Sequence, residues 1–165
     1  MEKESYKVLE YEKIREMIAA RAGSSLGKER ARSLQPSTDY AEVEEQLEQT
    51  AEAVRIHAVT SPPFGGIHDL RPLLKKIHMG AVLTLEELVD IRSTLYAMRS
   101  VKEFFKGLEI EAPTLKEWAH GIEILGQLER RLENTLDEHG SLRDDASVEL
   151  RRLRTEIQTT QNRIK

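Results

Sequence analysis

The run Gly23-Ser24-Ser25-Leu26-Gly27-Lys28-Glu29 comes nearest to a phosphate-binding loop. That chemistry needs Gly-x-x-x-x-Gly-Lys-Ser/Thr, because four intervening residues wrap the phosphates and a hydroxyl then holds magnesium. Here only three residues separate the glycines, Glu29 stands at the hydroxyl position, and no hydrophobic strand precedes the run. Capping chemistry between two helices is the better reading of Ser24 and Ser25. His57, His68, His78, His120 and His139 show no i, i+4 pairing and no metal-ligand spacing, so surface or helix-terminal positions are expected for them. Asp137-Glu138-His139 with Asp144-Asp145 is the densest acidic-plus-imidazole group. It flanks a turn and opens a helix, where aspartates cap backbone donors and complement the dipole; a magnesium site is the less favoured alternative. No Ser/His/Asp relay can be argued from linear spacing. The chain has no cysteine, which excludes disulfides, thiolate chemistry and cysteine-ligated metal sites. No catalytic, cofactor-binding or metal-binding residue is assigned.

Charge patterns carry more. Arg92, Arg99, Lys102 and Lys106 fall close to one face of a long predicted helix, Lys75 and Lys76 lie on the preceding one, and Arg151, Arg152 and Arg154 open the last. Either group could meet nucleic-acid phosphates, with steep salt dependence. The competing reading is a solvated helix face with intrahelical pairs such as Glu149 with Arg152. Asp39, Glu42, Glu44, Glu45, Glu48 and Glu52 form an acidic face with no base until Arg55, suited to a basic partner. The net charge of −4 gives no global basic field.

The elements that must position these groups are helices. At 165 residues the chain is long enough for one domain with a core, and 33% charged with 5% aromatic residues is the balance of a charged, helix-rich protein. Val8, Tyr11, Ile14, Met17 and Ile18 mark a helix over about Lys7–Arg21, and a short helix follows Ser24 or Ser25 and ends before Pro36. Ser37-Thr38-Asp39 starts a third, whose seam is Val43, Leu47, Thr50, Ala51, Val54 and Ala58. Leu70, Leu73, Leu74 and Ile77 belong to a short helix stopped by Gly80. Thr84-Leu85-Glu86-Glu87 is a capping box, and the helix it opens runs to about Lys106 with Leu88, Ile91, Leu95, Met98, Val101 and Phe105 inward. Pro113-Thr114 opens another with Leu115, Trp118, Ile122 and Leu125 inward; Gly126 bends or breaks it before Leu128, Leu132 and Leu136. A turn around Gly140, with Leu142 as a short extended piece, precedes a last helix from about Ser147. No strand alternation appears elsewhere, so the fold class is all-α. The first residues lack the apolar core of a signal peptide and no apolar run is long enough to span a membrane, so a cytoplasmic protein is expected.

Two features stand out from this helical background. Ser61–Arg71, Ser-Pro-Pro-Phe-Gly-Gly-Ile-His-Asp-Leu-Arg, is a loop of defined shape, because Pro63 fixes φ while Gly65 and Gly66 permit φ > 0. Phe64 is expected to plug between helices, and Asp69 to cap the next one. The second feature is the tail. Leu150, Leu153, Ile157 and Ile164 recur at coiled-coil spacing, with Thr160 in the remaining seam position, and no stop signal follows. A helix cut in mid-heptad is expected to be part of a longer protein.

Several non-helical stretches in order resemble the N-terminus of the bacterial MutS paralogue family that carries a C-terminal Smr nuclease domain ("MutS two"). They are Val8-Leu9-Glu10-Tyr11, Ser24-Ser25-Leu26-Gly27-Lys28, Leu34-Gln35-Pro36-Ser37, Pro63-Phe64-Gly65-Gly66-Ile67 with Asp69-Leu70-Arg71-Pro72, Gly80-Ala81-Val82-Leu83-Thr84, and the run from Asp144 to Arg154. The resemblance implies a helical bundle like the MutS core (lever) domain over residues 1–146, with 147–165 the truncated start of a lever helix that continues into a clamp coiled coil. It implies no enzyme and no cofactor in this fragment. ATP with magnesium and endonuclease activity are expected of later domains of the full-length protein. It further implies a homodimer when full-length, the remainder of the chain (clamp and ATPase domains) as partner, and branched DNA or stalled and collided ribosomes with their rRNA as targets.

Overall fold

The computed structural model describes residues 6–164. Its helices are α1 (Tyr11–Arg21), α2 (Ser25–Arg32), α3 (Tyr40–His57), α4 (Arg71–His78), α5 (Leu85–Lys106), α6 (Pro113–His120), α7 (Gly126–Thr135) and α8 (Val148–Ile164). Among the described residues the one β pairing is an isolated antiparallel bridge between Leu136 and Leu142, so the fold is all-α.

Local chemistry sets half of these eight helix starts. Ser24 Oγ accepts from Gly27 N at 3.1 Å and opens α2. Asp39 accepts from the N–H groups of Ala41 and Glu42 and opens α3. Thr84 and Glu87 close the capping box, with Thr84 N donating to Glu87 Oε2 at 2.8 Å and Glu87 N to Thr84 Oγ1 at 3.3 Å. Ser147 Oγ accepts from Leu150 N at 3.0 Å and starts α8. α1 begins later than the apolar spacing predicts, because Glu10 turns into the left-handed region (φ 52°, ψ 32°) and interrupts the helix. α6 stops at His120, earlier than Gly126, and residues 121–125 are irregular.

Chain contacts divide the molecule into two compact units, Met1–Asp69 with Ala97–Glu123 and Leu70–Tyr96 with Ile124–Lys165. In the first, Ile56, Val101, Phe105, Ala112 and Ala119 form the core, with Phe104, Leu108, Ile110, Leu115 and Ile122 packed around it. The Phe104 and Phe105 rings meet edge to face at 5.3 Å, a favourable geometry for their quadrupoles. α1 and α2 pack together, tied by a bidentate Arg32–Glu16 pair at 2.9 and 3.1 Å. In the second unit Leu73, Leu95, Leu132 and Leu136 are buried.

Burial overturns several expectations about which face turns inward. On α1 only Ala19 is buried, while Ile14, Met17 and Ile18 are exposed. The α3 seam of Val43, Leu47 and Val54 also faces solvent, and it is Glu52 and Ile56 that are buried. Trp118 is exposed, and α6 buries Ala119 instead. On a helix with apolar residues on more than one side, spacing alone does not decide which side meets the core.

Candidate functional site

The most heavily wired region is the turn that leads into α8. Asp137 N donates to Ser141 O and Arg143 N to Thr135 O, each at 2.9 Å, around the Leu136–Leu142 bridge. Gly140 takes φ 78°, and a Cβ there would sit 2.7 Å from Val89 Cγ2. Asp137 Oδ1 accepts from Ser141 N and His139 N at 2.8 Å each. These donors, the Ser141 bond first, hold the Asp137 carboxyl below the usual carboxylate range, and the charges of His139 and Arg92 add to the effect. The next acids face arginines. Asp145 pairs with Arg143 at 3.1 Å and Arg151 at 3.9 Å, and Asp144 pairs with Arg154. Asp137, Asp144 and Asp145 therefore serve as turn and helix-base groups. Among the described residues no cluster of three His, Asp or Glu side chains is arranged to hold a metal ion.

From this base α8 runs to Ile164 with no buried residue. Its first turn is fixed by the Ser147 cap and the aspartate–arginine pairs, and its apolar row is open to solvent.

The basic residues nominated from sequence separate into held and open groups. Arg92 Nη1 donates to Asp137 O at 2.8 Å, and so locks α5 to the α8 base. Arg99 lies 3.7 Å from Glu103, and Arg152 lies 2.9 Å from Glu149. Arg151 and Arg154 belong to the pairs described above. Lys76 is tied to Glu87, whose carboxyl is held below its ordinary range first by that lysine and then by the Thr84 backbone N–H. Lys102 Nζ donates to His120 O at 2.9 Å and Ile122 O at 2.6 Å, closing the carbonyl end of α6 where a cation complements the dipole. Lys106 differs. It lines a groove of about 420 Å³ with Lys102, Lys116 and His120, over a floor of Phe105 and Ala119, with Glu117 on the rim. Of the seven nominated contacts, Lys102 and Lys106 are brought to one groove, and Arg151 and Arg154 to the α8 base.

The Pro63-Phe64-Gly65-Gly66 loop has its expected turn, with Gly66 at φ 79° and Phe64 N donating to Pro62 O at 3.0 Å. Phe64, however, remains 47% exposed and is not a plug between helices. The cap position of α4 is Leu70, not Asp69, and it makes no side-chain capping bond; Pro72 in the first turn removes a donor that would need one.

Glu52, expected on the acidic face of α3, does not belong to it. It is fully buried, and its two carboxylate oxygens accept from Thr114 N at 3.1 Å and Leu115 N at 2.9 Å at the start of α6. Burial alone pushes this carboxyl up, but the N–H donors of Leu115 and Thr114, the Thr114 side chain and the Arg55 charge outweigh it, leaving it below the ordinary value. The one signal available in sequence was negative: Ala112, at the α6 cap position, has no side chain able to cap.

No family model matches the chain. Curated relatives do. Proteins named endonuclease MutS2 are 35% identical over 161 residues in Bacillus velezensis, 36% over 163 residues in Bacillus cereus, and 38% over 162 residues in a Geobacillus species. These alignments cover 95–96% of this chain but only 20–21% of each relative, so the chain spans about a fifth of the length of the proteins it matches. The resemblance carried by the Phe64 loop and its neighbouring motifs thus holds over almost the whole sequence: the chain is homologous to one segment of the endonuclease MutS2 proteins.

Proposed function

We propose that this chain is the non-catalytic core and lever module of a MutS-like ATPase, with residues 1–146 as helical core and 147–165 as the start of the lever. In the full-length protein, a homodimer with ATP and magnesium bound in later domains, the module couples nucleotide state to a clamp that acts on branched DNA or on stalled and collided ribosomes. The supporting observation is the contrast along α8. A lever must be stiff where force enters and unencumbered along its length, and α8 is pinned at its base by Asp144–Arg154, Asp145–Arg151 and the Ser147 cap while burying nothing beyond it. Hydrogen exchange on the full-length protein tests this. Amides from Leu150 to Ile164 should be protected as one helix, with protection that changes on adding ATP, while those of the Asp137–Arg143 turn stay constant. Random-coil exchange beyond Leu150 in the full-length protein would refute the lever. The isolated chain is expected to hydrolyse neither ATP nor DNA.

A second reading is direct nucleic-acid binding by basic helix faces. It is favoured by the convergence of Lys102, Lys106, Lys116 and His120 on one groove. Titration of branched DNA and structured RNA at two salt concentrations should then show binding that weakens steeply with salt and is reduced in Lys106→Ala/Lys116→Ala. No binding at low salt removes this reading.

A further inference from the structure

Two cations of the first unit are left without a partner. Among the described residues neither Lys106 nor Lys116 makes an ion pair or a side-chain hydrogen bond. Lys102 and Lys106 stand one turn apart on α5, and Lys116 and His120 one turn apart on α6, so two basic pairs at i, i+4 line the same groove. Like charges at that spacing repel, and the three lysines face a single acid, Glu117, on the rim. Lys102 has a task within the fold, because it closes the carbonyl end of α6. No contact within the fold calls for Lys106 or Lys116.

The floor narrows what those cations can meet. Phe105 and Ala119 belong to the core of this unit and are 7% and 4% exposed, so the groove is closed beneath by apolar atoms. Lysine stems add methylenes below their charged heads. Neither floor side chain has a polar atom, so the floor can receive the flat face of a base or sugar but cannot read a base edge. A volume of about 420 Å³ is that of a small-ligand site. A duplex can only rest its phosphates on the rim, with its bases stacked and paired away from the floor. An unpaired nucleotide fills both parts, and a charged groove beside an apolar platform is how single strands are held.

We propose that this groove takes one unpaired nucleotide of a single-stranded nucleic acid. Its phosphates meet Lys106 and Lys116, and its base lies on the Phe105–Ala119 floor whatever its sequence. The proposal rests on the nucleic-acid reading above and narrows it to one groove and one strand geometry. The arginines of α8 take no part, since Arg151, Arg152 and Arg154 are already paired with Asp145, Glu149 and Asp144. α8 therefore stays unencumbered along its length.

Fluorescence anisotropy with the 165-residue chain tests it, using a labelled single strand of about 12 nucleotides and the blunt duplex of the same sequence. At about 50 mM salt the strand should bind at least about fivefold more tightly than the duplex. Lys106→Ala/Lys116→Ala should weaken strand binding at least about tenfold and flatten the slope of log K against log salt by about 1.4, two phosphates at about 0.7 each. Arg130→Ala/Arg131→Ala removes the same charge from exposed positions of α7 and should leave binding within about twofold. Alanine is the best helix former, so circular dichroism should show both variants folded. No binding by the wild type at low salt removes the nucleic-acid reading itself. Equal binding of strand and duplex, or equal losses in the two variants, keeps that reading and overturns the groove. Displacement of the strand by polyglutamate as readily as by an unlabelled strand would assign the groove to acidic peptides, and displacement by uridine monophosphate as readily would assign it to free nucleotides; either overturns the proposal. Photo-crosslinking of an iodouridine-substituted strand to the full-length protein should place an adduct within residues 102–120 that the Lys106→Ala/Lys116→Ala variant loses. Adducts only elsewhere would mean that the remainder of the chain covers the groove, and would also overturn it.

Discussion

Replacing Glu52 by alanine is the sharpest test of how the first unit is held together. The wild-type carboxylate is buried and accepts the Thr114 and Leu115 N–H groups at 3.1 and 2.9 Å. It supplies from α3 the N-cap that Ala112 cannot. A hydrogen bond to a charged group contributes about 1.5–3 kcal/mol net, and losing an N-cap costs about 0.5–2 kcal/mol. The two contributions overlap, so Glu52→Ala should cost about 3–4 kcal/mol. For a chain of this size that lowers Tm by roughly 7–14 °C. Glu52→Gln keeps one acceptor but turns an amide N–H₂ toward the second donor, and should lose about half as much. The pH dependence gives an independent readout. The folded-state carboxyl is depressed, so its stabilisation is fully present above the unfolded-state value of about 4.3 and is lost as pH falls through the folded value. Acid unfolding should therefore be less steep in Glu52→Gln than in wild type below about pH 4.3. Thermal melts followed by circular dichroism at pH 7 and along the acid limb measure both effects. A Glu52→Ala melt within about 2 °C of wild type would show that α6 is held by apolar packing alone.

Other positions give smaller, separable effects. Thr84→Ala opens the capping box of α5 and should cost about 1 kcal/mol in urea denaturation, with Glu87 still held by Lys76. Gly140→Ala meets both a positive φ and Val89, and should cost at least about 1–2 kcal/mol; pairing it with Val89→Ala should recover the steric part but not the backbone part. Phe64→Ala should cost under about 1 kcal/mol, because the ring is only half buried; a loss of 3 kcal/mol or so would mean that it acts as a core residue. Asp144→Asn with Asp145→Asn should leave the melting midpoint nearly unchanged while speeding amide exchange in the first turn of α8.

What the sequence disclosed and what it hid divide along a physical line. Features decided within six residues were legible: the caps at Ser24, Asp39 and Ser147, the reciprocal box of Thr84 and Glu87, the turn at Gly140 and the brief pairing of Leu142. Features decided by which helix packs on which were not. Leu47 and Val54 on one side of α3 and Ile56 on the other are equally apolar by type, and Trp118 is a better core candidate by size than the Ala119 beside it. Only packing chose between them. Glu52 sits among five other acids in a run that reads as a solvated face, yet its partner is a helix start 62 residues away. The basic faces show the same limit. Their spacing on α5 was apparent, but whether each cation is spent on a carbonyl, as Lys102 is, or left open, as in the Lys106 groove, depends on neighbours distant in sequence.

The open row on α3 also has a consequence for synthesis. Leu47 leaves the ribosome about 110 residues ahead of Ile157, so at roughly 5–20 residues per second the row is displayed for roughly 5–20 s before synthesis reaches the middle of α8. An apolar strip displayed that long on a nascent chain is a target for chaperones and for neighbouring chains on the same message. The acids that flank it, Glu42, Glu44, Glu45 and Glu48, are already present in that interval and repel a second nascent α3. The acidic flank would thus guard the row while the chain is being made.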